Sequence, residues 1–291
     1  MKAKNEKAIF SIITIVLIIF IGILVNNILR NENKEVKVAK DFIQNLFEEN
    51  IIDYYDKDDE VNKNNTLNKL VNKNSQIQYS VLVGNYAVDI DKDYNVLGFS
   101  NKNISNQSSK LKVATYSVID TEVVDEEKAI DYAVNYIKEL SEDEFIFKEV
   151  KNKDGEENPY YVVVFYKCKD GYPIYKQEIT VLIDKVSWKL QGYSNYPLED
   201  KEYIKDIGID EEQAIKIVLD NFKNLNLNKE NIDIDNIDLA YVEAEENKLA
   251  LSYIINIKNK LEDGTSENYS VIIRGDNGQV ISSNLETINK N

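Results

Sequence analysis

The 291-residue chain has no histidine, one cysteine, one tryptophan and three prolines. Without imidazole there is no Ser-His-Asp or Cys-His nucleophile activation, no HExxH zinc site and no histidine phosphoacceptor. One cysteine excludes an intrachain disulfide and every multi-cysteine zinc or iron–sulfur site. The ten glycines are scattered, and neither GxGxxG nor GxxxxGK occurs, so no glycine-rich phosphate loop is present. Hydrophobic residues make up 43% of the chain and include 19 Tyr and 9 Phe, enough to fill the cores of one to three small domains.

Charge is missing from one long stretch. Ala8 to Leu29 is an uncharged run of 22 residues rich in Ile, Leu, Val and Phe. At about 1.5 Å per helical residue it exceeds the hydrocarbon thickness of a bilayer, roughly 30 Å. The run is longer than the core of a cleavable signal, no A-x-A site follows it, and Cys168 lies too far away for a lipid anchor. It reads as an uncleaved transmembrane helix. Lys2, Lys4 and Lys7 precede it, while Arg30, Lys34, Lys37 and Lys40 follow. A short basic tail before a long apolar segment is a signal-anchor layout, which predicts a single-pass cell-membrane protein with its C-terminal part outside the cytoplasm.

The whole chain carries a formal charge of −16. Residues 1–30 hold four basic residues and only Glu6 as an acid, so the remainder is more acidic still, at −19. Such a surface repels nucleic acid over about a Debye length, ~8–10 Å in ordinary salt, and excludes nucleic acid as a partner.

The remainder repeats itself. DEEKAIDYAVNYIKEL from Asp125 aligns without a gap with DEEQAIKIVLDNFKNL from Asp210, at an offset of 85 residues. Apolar residues fall at matching places of one helical face and predict that Ile130, Val134, Ile215 and Leu219 are buried. Asp125 and Asp210 are expected N-caps, and Gln213 completes a capping box with Asp210. VAKDFIQNLFEE from Val38 is a third, less similar helix. Each helix precedes strand-like segments that end in a common phrase: YAVDIDKDYNVLGFSN, ITVLIDKVSWKLQGYSN and YSVIIRGDNGQVISSN. An alternating strand, a polar turn and a short closing strand recur in all three. The expected fold class is α+β, with an N-terminal transmembrane helix followed by tandem modules of one helix and an antiparallel sheet. The expected boundaries are an anchor at 1–30, a degenerate membrane-proximal module with its linker at 31–122, and modules at 123–203 and 204–291.

An acid-capped "eeAi" helix followed by a final D-x-x-x-G-x-V-x-S hairpin resembles the PepSY family, most closely in IDEEQAIKIV through RGDNGQVISS. The phrase KDGYPIYKQEITVLIDKVSWKLQGYSN is similar to the repeated YcdB/YcdC domain and to the propeptide domains of thermolysin-like proteases. The resemblance covers roughly residues 123–284. The second copy departs from it by having Val186, Ser187 and Trp188 where the turn glycine stands. A further resemblance is to YycH/YycI-type single-span regulators of a sensor kinase. These resemblances imply noncatalytic inhibitory or regulatory modules, and no catalytic residue is carried over from them.

Individual sites are few. Asp89, Asp91, Asp93 and Asn95 alternate as calcium-loop ligands do, but Tyr94 replaces the required glycine and Ser100 the closing glutamate. This segment reads as a polar hairpin turn, so no metal and no cofactor is expected. Cys168 reads as a buried thiol on one strand face with Val162, Val164 and Tyr166. Trp188, Phe99 and Tyr193 read as aromatic caps on the sheet cores. The expected function is therefore a membrane-anchored extracytoplasmic binding or regulatory protein, not an enzyme. Its expected partner is another exported or membrane protein, a protease or a signalling protein. The alternatives are a carboxylate-dependent cell-surface hydrolase, whose acid pair can be far apart in sequence, and a structural spacer.

Overall fold

The structure is a computed structural model that describes residues 33–53, 76–102, 125–151, 159–198, 200–224, 232–260 and 265–286. Among these, no helix is long and apolar enough to cross a membrane; the expected anchor at 1–30 lies outside the described residues. The fold is mixed α+β, with three helices and twelve strands among the described residues. The chain divides into two compact units, residues 1–117 and 118–291.

In the N-terminal unit, helix α1 (Lys34–Glu48) lies against a meander of β1 (Tyr79–Val83), β2 (Tyr86–Ile90) and β3 (Val96–Asn101). The helix buries Val36, Ala39, Ile43 and Leu46 at i, i+3, i+7 and i+10, one face of a 3.6-residue period. Alternate strand residues Val81, Val83, Val88 and Ile90 complete the core. Phe42 meets Phe99 edge-on at 5.6 Å.

The C-terminal unit holds the two clear repeats. The second copy comprises α2 (Glu126–Leu140), β4 (Phe145–Lys151), β5 (Tyr160–Lys169), β6 (Tyr172–Asp184) and β7 (Leu190–Asn195). The third comprises β8 (Glu202–Ile204), α3 (Glu211–Asn224), β9 (Ile232–Glu245), β10 (Lys248–Lys260), β11 (Ser266–Arg274) and β12 (Val280–Glu286). Neighbouring strands within each copy are antiparallel, except that β8 runs parallel to β10. Since β8 belongs to the sheet of the third copy, that sheet begins slightly before residue 204.

Both helix starts are capped as the sequence predicts. Lys128 N donates to Asp125 Oδ1, and Asp210 and Gln213 exchange reciprocal bonds of 2.8 and 3.0 Å. The buried stripe, however, is rotated. Ala129, Ala133, Tyr136 and Ile137 are buried in α2, and Ala214 and Val218 in α3, whereas Ile130, Val134, Ile215 and Leu219 are only half-buried. The alanines let each helix sit close to its sheet, so the bulkier neighbours flank the contact instead of entering it. Val218 and Ala214 pack on Tyr253, Ile255, Ile257, Val271 and Ile273.

The three phrases form equivalent hairpins. Asp91, Asp184 and Arg274 each close a turn by donating N–H to Asn95, Lys189 and Gln279, and the first turn is one residue shorter. In each turn the residue before the closing one has a left-handed backbone: Tyr94 (φ 70), Trp188 (φ 63) and Gly278 (φ 75). Glycine adopts that conformation freely, while other residues are strained there. The first two copies hold aromatics in place by packing. Tyr94 stacks on Tyr79 at 5.6 Å under the Lys34 ammonium. Trp188 lies between Tyr132 and Tyr161, at 5.5 and 5.6 Å, with Lys128 above its ring, and its carbonyl accepts from Tyr136 Oη. In the third copy Ile217 occupies the space, 2.9 Å from where a Cβ on Gly278 would stand. Trp188 thus sits in the turn, not in the closing strand, whereas Phe99 and Tyr193 lie in closing strands and are buried.

This arrangement predicts an order of effects. Trp188→Ala loses the stacking and keeps the left-handed strain, while Trp188→Gly loses the stacking and relieves it. The glycine variant is expected to be more stable than the alanine variant by about 1 kcal/mol in urea denaturation. Equal or lower stability of the glycine variant would remove the strain argument.

Candidate functional site

A concave feature arises where β6 changes partners. On β5, Tyr166 pairs with Glu178 and Cys168 with Pro173, so β6 carries four residues, Ile174–Gln177, against a single one on β5. Lys176 within this bulge has φ 63. Bulges bend a strand and increase its twist. On the bend Ile174 pairs in parallel with Tyr241 of β9, and this is the only residue pair of the β6–β9 ladder. Below it the two repeats diverge and enclose a groove of about 860 Å³, within the range of ligand-binding clefts.

One wall comes from the second copy. Ile146 and Phe147 of β4 remain 48% and 43% exposed although both are large and apolar. Lys148 bonds Glu178 at 2.6 Å and lies 4.8 Å from the centre of the Tyr166 ring. Burial disfavours that ammonium, but Glu178 and Tyr166 outweigh it and hold the Lys148 pKa above the usual lysine value. The other wall and floor come from the third copy, where Ala240 and Ile254 supply a buried apolar strip. Beside it Asn256 Nδ2 donates to Asn236 Oδ1 at 2.6 Å, and Asn236 Nδ2 donates to Asp238 Oδ2 at 2.8 Å. Asn268 Oδ1, also at the groove, is buried without a hydrogen-bond partner.

A separate polar cluster follows the end of α2. Lys167, 2% exposed, donates to the Tyr196 carbonyl at 2.6 Å and lies 3.2 Å from Asp143 Oδ2. Asp143 also accepts from Ser141 Oγ and Asn195 Nδ2, each at 2.8 Å. Burial raises its pKa, but these donors and the Lys167 charge prevail and hold it below the usual carboxylate value. Burial depresses Lys167, and Asp143 only partly opposes this. The buried Tyr193 phenol is pushed up to about 12, chiefly by desolvation. This cluster ties β5 and β7 to the segment after α2.

The alternating acids of the sequence are not gathered around a point. Asp89 lies within β2, opposite Ser80 and Gly98. Asp91 Oδ1 accepts from the N–H groups of Asp93 and Asn95, and its Oδ2 from Asn95 Nδ2. The Asp91 carboxylate is thus the organising acceptor of a hairpin turn. No group of three or more His, Cys, Asp or Glu side chains among the described residues is arranged to hold a metal ion. Cys168 is half-buried rather than buried, because the β6 bulge opens the sheet beside it; burial and Glu144 raise its pKa.

The sequence does not single out the groove residues: in β9 the aliphatic–polar alternation of IDID and IDL changes phase at Asp235 and Asn236, where the ladder to β10 shifts register. No protein-family model matches this chain, and no curated protein matches it. Among solved structures, the Bacillus megaterium YpeB C-terminal domain is similar, at 16% identity and a TM-score of 0.43, over 74% of this chain and 86% of that one.

Proposed function

We propose that the chain is a noncatalytic, membrane-anchored extracytoplasmic module that binds another exported or membrane polypeptide and regulates it. The observation that carries the reading is the groove at the divergence of β6 and β9, with Ile146 and Phe147 exposed on its rim. Large apolar side chains exposed beside a concave surface are characteristic of binding sites. The PepSY-like phrases of the sequence support the regulatory sense, since such modules act on proteases or in exported signalling proteins. The uncharged run from Ala8 to Leu29 supports the anchor.

In-cell photocrosslinking from position 146 tests the reading, with carbonate-washed membranes as the starting material. The expected result is one dominant crosslinked partner that is itself exported or membrane-bound, absent when the crosslinker stands at the exposed helix position 131. Turnover of a peptide, glycan or phosphate ester by the purified chain, lost on changing one Asp or Glu, would instead establish a hydrolase.

A further inference from the structure

We propose that the free edge of β9 accepts an added strand from a partner segment in which Lys or Arg alternates with aliphatic residues. The inference deepens the binding reading above and rests on it. β9 is laddered to β10 from Ile232 to Glu245, but to β6 only at Tyr241. From Ile232 to Leu239 its other side therefore has no strand partner among the described residues. Unpaired backbone N–H and C=O groups on such an edge are a template for strand addition. The added strand would lie about 4.8 Å from β9, inside the groove.

The side chains of the groove specify the charge of the occupant. In the relay from Asn256 to Asn236 to Asp238 one N–H of each amide is committed to a neighbouring group. What remains along β9 is a pair of carboxylates that can only accept, Asp235 and Asp238. The two lysines of the groove do not answer them. Lys148 is held by Glu178, and Lys176 lies 5.2 Å from the centre of the Tyr175 ring. A partner strand with cationic side chains supplies the missing donors and neutralises the two aspartates. Side chains alternate along a strand, so every second residue of the same segment falls on the opposite face, in line with Ile234, Ile237 and Leu239, which pack on the core beneath α3. The Lys176 bulge keeps β6 from occupying this edge.

The test is fluorescence anisotropy of the full-length chain with three labelled octapeptides: alternating Lys-Val, alternating Glu-Val, and the Lys-Val peptide with its central valines replaced by proline. The Lys-Val probe is expected to bind at least tenfold more tightly than either of the others. Asp235→Asn with Asp238→Asn should weaken it about tenfold. Asp131→Asn with Glu139→Gln, equal in charge and on the exposed side of α2, should change it less than twofold. Equal weakening by both double variants would mean bulk attraction to an acidic protein and overturn the proposal, as would undiminished binding of the proline probe. Failure of every probe, with a crosslinked cellular partner insensitive to the Asp235 and Asp238 changes, would overturn the β9 assignment and leave the binding reading standing.

Discussion

Replacing Phe165 by alanine is expected to lower the unfolding free energy of the C-terminal unit by about 3–5 kcal/mol. The side chain is fully buried, and Phe145 and Phe147 meet it edge-on at 5.3 and 5.9 Å. Removing the ring loses its transfer free energy and leaves a cavity on which two aromatic neighbours have nothing to rest. Those neighbours belong to β4, which among the described residues pairs with β5 alone, so the lost ring is also the main anchor of that strand. Phe147→Ala is expected to cost about 1 kcal/mol, because that ring is 43% exposed and contributes chiefly its aromatic contact. Urea denaturation with an unchanged m-value would show both effects. A loss below about 1 kcal/mol for Phe165→Ala would mean that β4 closes over the gap and that the ring is not an anchor.

Asp143→Ala is expected to cost about 2–3 kcal/mol, while Lys167→Met is expected to cost much less or to stabilise the protein. Without Asp143, the Lys167 ammonium keeps only the Tyr196 carbonyl while 98% of its surface is out of water. Removing one member of a buried pair strands the other charge, whereas an apolar side chain of similar length removes the desolvation cost. The figure is set at the low end because Asp143 is itself 38% exposed and partly screened by water. The pH dependence follows from the direction of the shift. The folded Asp143 pKa lies below the usual 3.8, so near and below that pH the unfolded chain binds more protons. Its contribution is complete above about pH 4 and disappears as pH falls through the lower folded value. Lys167 works in the opposite region: its folded pKa is below 10.5, so its burial becomes less costly as pH rises toward that value. Stability measured from pH 2 to 6 should therefore fall less steeply toward acid in Asp143→Ala than in the parent. Parallel curves would show that Asp143 carries no acid-linked stability.

The two helix starts and the three hairpins were legible because each is specified by neighbours in sequence. A capping aspartate, a glutamate pair and alanines at fixed spacing define α2 and α3 wherever they lie, and Gln213 returns its bond to Asp210 as the pattern requires. The hairpin phrases alternate apolar and polar residues up to a polar turn, which was sufficient even where Trp188 replaces glycine. What escaped was not local. The groove depends on a bulge at Lys176 that redirects β6 to a strand more than sixty residues away, and alternation in either strand does not show that meeting. β4 was obscured because Phe145, Ile146 and Phe147 are consecutive and apolar, so its periodicity is lost where the rim of the groove needs exposed hydrophobics. The half-burial of Ile130 and Ile215 has the same origin: helical spacing identifies a face, but the small residue at its centre decides how closely it approaches the sheet.

β6 serves two cores with one continuous backbone. Residues Ile179, Val181 and Ile183 are buried within the second copy, while Ile174 is buried with Tyr241, Leu249 and Leu251 of the third. Tandem repeats joined only through an interface can open one at a time, each with its own free energy. A strand held in common removes that independence, because freeing either copy strips partners from the same segment of chain. The C-terminal unit is thus a duplicated sequence that melts as one object, and a weakness introduced on one side of Lys176 is felt on the other.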